Sequence, residues 1–168
     1  MSGQLRFLDR KEFLRGPFRR PKPATRPPWH IEESEFTEIC ERCDTCAEAC
    51  PEKIIGKGRG GFPEVSFENG ECTFCEACVK ACPSGALDRV ALKFPDRHPP
   101  WTITARITDS CISAKGIACR VCGEYCESRA ITFRLAVGGD AIPEIDTVLC
   151  TGCGACVAPC PVNAVRVE

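Results

Sequence analysis

A chain of 168 residues with sixteen cysteines and a formal net charge of −1 has room for one domain or two small ones, and a charge so close to neutral gives no ground for a nucleic-acid partner. Without the cysteines roughly a third of the residues are apolar, with only nine Phe, two Trp and one Tyr, a core thin enough to need metals or disulfides as internal staples. No apolar signal core or membrane-spanning run occurs, and Arg19-Arg20 is followed by Pro21-Lys22-Pro23 where an export signal needs an apolar stretch; the expectation is a cytoplasmic chain with no transmembrane segment, its thiols reduced and available to metal.

Residues 1–36 read as a basic, proline-rich arm. Asp9 as a cap, Glu12 at the third helical position and Leu8 with Phe13 as a staple pair predict a short helix that Gly16 ends. Five prolines between Pro17 and Trp29 favour extended backbone. The first 29 residues set eight basic side chains against two acidic ones, so the arm either engages an acidic surface or is solvated. Its last piece, Arg26-Pro27-Pro28-Trp29, is a stiff stem with an aromatic tip, suited to docking into a partner or to packing back over the first unit.

Two similar units follow, at 37–92 and 108–168, joined by a connecting segment at 93–107. Each runs from a cysteine loop through a short apolar stretch, a glycine turn and an alternating stretch after proline into a second cysteine loop. In the first copy these are Ile54-Ile55, Gly60-Gly61 and Pro63 to Phe67; in the second, Ile131 to Val137, Gly138-Gly139 and Pro143 to Ile145. Alternation of period two predicts strand pairs, and cysteines four apart at the end of each loop predict short helices, giving an α+β fold of two bacterial-ferredoxin-like units. Ala86-Leu87 and Trp101 to Ile107 read as further strands, with a turn at Pro95 to Pro100 between them.

The cysteines form four sets. Cys40, Cys43, Cys46, Cys50; Cys72, Cys75, Cys78, Cys82; and Cys150, Cys153, Cys156, Cys160 share the spacing Cys-x2-Cys-x2-Cys-x3-Cys followed by proline. Three thiolates from a tight loop plus one from elsewhere are what a cubane [4Fe-4S] cluster requires, so each set predicts one cluster. The remaining set, Cys111, Cys119, Cys122, Cys126, carries five extra residues after its first cysteine and Glu127 in place of proline. It reads as a fourth cubane, with a three-iron or labile cluster, or a structural zinc, as alternatives.

In two-cluster ferredoxins the last cysteine of each motif serves the cluster of the other. Exchange between neighbours predicts the groups Cys40, Cys43, Cys46 with Cys82; Cys72, Cys75, Cys78 with Cys50; Cys111, Cys119, Cys122 with Cys160; and Cys150, Cys153, Cys156 with Cys126. The rival pairs the outer two motifs and the inner two. His30 and His98 stand alone beside prolines, Gly56 to Gly61 reads as a hairpin turn, and no paired acids, nucleophile with its base, or nucleotide site is recognisable. The expectation is an electron-transfer or accessory protein, not an enzyme.

The irregular third set with Cys119-Arg120-x-Cys122 and Cys126-Glu127, together with Arg26-Pro27-Pro28-Trp29, Gly60-Gly61-Phe62-Pro63, Cys72-Thr73-Phe74-Cys75 and Gly152-Cys153-Gly154-Ala155-Cys156, resembles the NapF family, the ferredoxin-type accessory proteins of bacterial periplasmic nitrate reductase systems. The resemblance implies a cytoplasmic protein that binds the molybdenum-containing catalytic subunit before its export and aids its maturation, by electron supply or by iron-sulfur cluster assembly. The competing reading is a polyferredoxin subunit that relays electrons within a respiratory or dehydrogenase complex.

Overall fold

Cysteine loops occupy so much of the chain that the regular elements between them are short. A computed structural model describes residues 24–89, 100–135 and 141–168. In chain order these contain α1 (Glu33–Ile39), α2 (Thr45–Ala49), β1 (Ile55–Lys57), β2 (Pro63–Val65), α3 (Ala77–Ala81), β3 (Ala105–Ile107), α4 (Val121–Glu124), β4 (Ile131–Leu135), β5 (Ala141–Ile145) and β6 (Val165–Val167). The helix signal at Asp9 to Gly16, His98 and the Gly138-Gly139 turn lie outside the described residues, as does Pro95 to Pro99 of the turn that ends at Pro100.

All three sheets are antiparallel pairs. β1 and β2 run from Ile55 opposite Val65 to Lys57 opposite Pro63, turning through a 3-10 segment at Arg59–Gly61 in which Gly60 and Gly61 take positive φ. β4 and β5 form the equivalent hairpin, from Ile131 opposite Ile145 to Leu135 opposite Ala141. The alternation read in both stretches is thus expressed as hairpins, each lying between two cysteine loops.

The outer closures differ from the expected strands. Trp101 to Ile107 yields a strand only at Ala105–Ile107, because its partner β6 is three residues long. Reciprocal Thr104 and Glu168 main-chain bonds extend that pairing by one residue, at 3.0 and 3.1 Å. Ala86-Leu87 forms no strand; an isolated bridge joins Leu87 to His30, beside Ile31 N–H to Ala86 carbonyl at 3.2 Å and Asp88 N–H to Trp29 carbonyl at 2.9 Å.

That bridge draws the end of the proline-rich arm into the fold. Val65 N–H donates to the Thr25 carbonyl at 2.7 Å, Pro27 and Pro28 are fully buried, and Arg26 and Trp29 are 8 % exposed. Composition favours solvated backbone here, but a proline has no N–H that needs an acceptor and can be buried at less polar cost. Trp29 therefore packs back on the first unit. Below it lies one apolar core, from Ile31 and Phe36 through Phe67 and Trp101 to Ile131 and Val165, that takes in residues of both units. Among the described residues no helix is long and apolar enough to cross a membrane.

Candidate metal centres

The cysteine loops are shaped by residues that the motif leaves unspecified. In three of them the residues just before and just after the middle cysteine have positive φ: Arg42 and Asp44 around Cys43, Phe74 and Glu76 around Cys75, and Gly152 and Gly154 around Cys153. Two left-handed residues on either side of a cysteine coil the chain tightly around one side, at a cost of about 1 kcal/mol for each non-glycine. The irregular loop lacks this device, since Arg120, after Cys119, has φ −133°. Its inserted residues fold as a 3-10 turn, Ser113–Lys115, capped by Gly116 at φ 81° and tied down by the buried Ser113 hydroxyl donating to the Ala141 carbonyl.

A second regularity covers all four sets. The residue three after the last cysteine is left-handed in each: Lys53, Gly85, Arg129 and Asn163. The last cysteine also donates its N–H three residues back each time, Cys50 to Ala47, Cys82 to Val79, Cys126 to Gly123 and Cys160 to Val157, over 3.1 to 3.3 Å. Glu127 makes the same turn as the three prolines do, so the missing proline leaves the exit from the third loop unchanged. Gly152-Cys153-Gly154 was the one sequence signal for the first regularity; the second had none beyond Gly85 and Asn163.

The loops and turns gather the cysteines across motifs. One small cavity is lined by Cys40, Cys43, Cys46 and Cys82. Another is lined by Cys50, Cys72, Cys75 and Cys78. A third is lined by Cys111, Cys119, Cys122 and Cys160. Each lining takes three cysteines from one motif and the last from its neighbour, the grouping that neighbour exchange calls for. Of the fourth set, Cys150 and Cys153 lie close enough to Cys156 to act on its thiol electrostatically, and Cys126 is the last cysteine of the adjoining loop.

Burial pushes the Cys78 and Cys156 thiols up to about 12, and those of Cys46, Cys72 and Cys122 up to about 11, with neighbouring thiols adding to the rise. Exposed Cys43 goes the other way, its thiol held below the ordinary value by hydrogen bonds from Thr45. Binding a cluster through Cys46, Cys72, Cys78, Cys122 and Cys156 would therefore release their protons. Sulfur also receives main-chain donors: Ala164 N–H to Cys160 Sγ at 3.2 Å and Ala105 N–H to Cys150 Sγ at 3.4 Å. Among the described residues no three His, Cys, Asp or Glu side chains lie close enough to hold a single metal ion. Four thiols in each lining, three from one loop and one from another, are the donor set that a [4Fe-4S] cluster takes.

The end of the arm packs beside two of these sites. Trp29 and Pro28 line the cavity of Cys50, Cys72, Cys75 and Cys78. Arg26 forks onto Glu33, at 2.7 to 3.1 Å, donates to the Pro63 carbonyl at 3.2 Å, and lies 5.2 Å from the ring centres of both Phe36 and Phe62. Of the two lone histidines, His30 bonds the Pro27 carbonyl at 3.1 Å and reaches none of the three cysteine cavities.

Comparison with known proteins agrees with this layout. Residues 33–87 match a 4Fe-4S dicluster domain, and residues 115–164 match a second family of the same description. The second match begins after Cys111, where the insertion breaks the common pattern. Over 95 % of its length the chain is 41 % identical to the ferredoxin-type protein NapF of Escherichia coli K12, covering 94 % of that protein. The chain belongs to the NapF family. It is 42 % identical to NapF of Haemophilus influenzae, over 96 % of this chain and 94 % of that one. The methylamine utilization ferredoxin-type protein MauM of Methylobacillus flagellatus is 31 % identical over 88 % of this chain and 70 % of its own. As a NapF-family member with two dicluster domains, the protein is an α+β, [4Fe-4S] ferredoxin-type electron carrier.

Proposed function

We propose that the chain holds four [4Fe-4S] clusters and acts in the cytoplasm on the molybdenum-containing catalytic subunit of a periplasmic nitrate reductase, binding the precursor before export and aiding assembly of its iron-sulfur cluster. The ligand sets are Cys40, Cys43, Cys46 with Cys82; Cys72, Cys75, Cys78 with Cys50; Cys111, Cys119, Cys122 with Cys160; and Cys150, Cys153, Cys156 with Cys126. Such clusters supply one-electron exchange without moving protons or breaking bonds in the protein. The chain's own part is to hold the thiolates, exclude water with Phe36 and Trp29, and present hydrogen bonds to sulfur.

The observation that carries this reading is the cavity lined by Cys111, Cys119, Cys122 and Cys160. It gives the irregular set the same four-thiol surroundings as the regular ones, in a chain of the NapF family. The two units divide at the connecting segment, and the pairings of His30 with Leu87 and of Ala105–Ile107 with Val165–Val167 favour drawing His30 and Ala105 into them.

An anaerobic pulldown with precursor and mature forms of the reductase subunit tests the partner. Binding to the precursor alone is expected; equal binding to both, or none to the precursor, would sink the accessory role. Iron and acid-labile sulfide on the purified protein should each come to about sixteen per chain, four for each cubane. The second reading, a relay subunit fixed in a respiratory or dehydrogenase complex, draws on the core shared between the units, and it calls for stoichiometric recovery with a mature enzyme.

A further inference from the structure

The two units touch through their cysteine loops. Cys72 N–H donates to the Cys153 carbonyl at 2.8 Å, a main-chain bond between the loop that opens the first unit's second motif and the loop of the second unit's last motif. The Cys72 thiol also lies within electrostatic reach of Cys153. Aromatic rings hold this contact from both sides. Trp101 donates its indole N–H to the Thr151 carbonyl at 2.9 Å and meets Phe67 and Phe74 edge to face, at 5.7 and 6.0 Å between ring centres.

The fit leaves no room for a side chain at the two glycines flanking Cys153. A Cβ on Gly154 would overlap the Phe67 ring, and one on Gly152 would come within 2.5 Å of the Ile103 carbonyl and 2.7 Å of the Trp101 indole nitrogen. These glycines occupy the same left-handed positions that Phe74 and Glu76 fill in the first unit. Conformation alone therefore does not demand glycine there; the close approach of Phe67 from the first unit does at Gly154, and that of Trp101 and Ile103 from the connecting segment does at Gly152.

We propose that Phe67 and Trp101 are positioning residues that seat the Cys153 loop on Cys72, and that electrons cross between the two units at the Cys72 to Cys153 hydrogen bond. The inference rests on the four-cluster reading above. One electron leaves the Cys72 site as one arrives at the Cys153 site, or the reverse, with no proton transferred and no bond made or broken. The sites then form a single line: the Cys40 set, the Cys72 set, the Cys150 set and the Cys111 set. Without the seating, the molecule would be two separate two-site carriers on one chain.

The test uses the full chain, purified anaerobically and reduced with dithionite, with iron and sulfide counted on every sample. Electron paramagnetic resonance of the unaltered protein should show relaxation enhancement beyond that within each unit. Phe67→Ala and Trp101→Ala should lose that part while keeping full iron, and Trp101→Phe, which retains the ring contacts, should restore most of it. Hydrogen exchange supplies the second readout: protection of the Cys72 amide should be lost in Phe67→Ala but amides of β1 and β2 should stay protected. Full iron with no coupling between units, or coupling unchanged in Phe67→Ala and Trp101→Ala, overturns this inference and leaves the four-cluster reading standing. Iron well short of four clusters in the unaltered protein overturns the four-cluster reading itself.

Discussion

In the second unit, β3 and β6 join the two ends over three residue pairs, and the remaining hairpin is five residues long on each side. In the first unit a single bridge at His30 and Leu87 stands where that closing sheet would be, and the hairpin strands have three residues each. What the first unit lacks in sheet it makes up with side chains: Arg26 between Phe36 and Phe62, and Trp29 against Phe74 at 6.3 Å. The second unit is thus closed by main-chain pairing, whereas the first adds to its single bridge a cation between aromatic rings. Main-chain closure needs no particular side chain, and the first unit's closure draws on Arg26 as well.

The largest expected effect removes a ligand. Cys119→Ser and Cys43→Ser should each cost about a quarter of the iron, one cubane of four, while leaving the unit without the substitution loaded. Iron lost from both units in either variant would break the neighbour exchange on which the comparison stands.

Next comes the arginine. Arg26→Ala removes a forked ion pair, a bond to a buried carbonyl and two ring contacts. The first unit should lose about 2 kcal/mol, Glu33 being half exposed and the pair discounted accordingly. Anaerobic hydrogen exchange should register this in α1 and β2 but leave β3 and β6 unchanged. Equal loosening of both units would show that closure is a property of the whole molecule.

Smaller effects sharpen the account of the loops. Gly85 has open space around it, so Gly85→Ala should cost about 1 kcal/mol from its positive φ alone. Lys53→Gly, at the matching position of the preceding motif, should gain about 0.5 kcal/mol or less, the relief of strain being offset by a floppier unfolded chain. Thermal unfolding under anaerobic conditions reads both, and like signs would contradict the shared turn.

Acid gives the smallest effect. Hydrogen bonds from Arg26 hold the Glu33 carboxyl below its ordinary value. A carboxylate lowered on folding stabilises fully above its unfolded pKa and loses that contribution as pH falls through its folded pKa. Burial likewise lowers His30, which favours its neutral form and acts in the same direction. The first unit should therefore loosen before the second as pH is lowered, and Glu33→Gln should flatten the difference in hydrogen exchange between them.

Sequence spacing was enough to divide the sixteen cysteines into four motifs, but it left neighbour exchange and the crossed pairing both open, because the intervals within a motif do not say which motif lies beside it. Hairpins at Ile55 to Val65 and at Ile131 to Ile145 were equally legible from alternation. The burial of Arg26 to Trp29 was not, since a proline-arginine stretch has the same composition whether it is solvated or wedged among aromatic rings. Nor were the left-handed positions at Arg42, Asp44, Phe74 and Glu76, where coiling of the loop overrides residue preference. The Cys72 to Cys153 contact joins residues far apart in sequence, and only the two glycines beside Cys153 hinted at a close neighbour.

Exchange of the last cysteine, as proposed, would have a consequence in time as well as in space. No motif would hold all four ligands of its own set, and two of the four sets would have to wait for a later one. The Cys40 set waits for Cys82, the Cys72 set already has Cys50 behind it, and the Cys150 set already has Cys126. The Cys111 set waits longest, until Cys160 is made, by which point β6 is the next strand to appear. The loop with the inserted residues and no left-handed pair around its middle cysteine would therefore also be the one whose ligands stay incomplete over the longest stretch of chain.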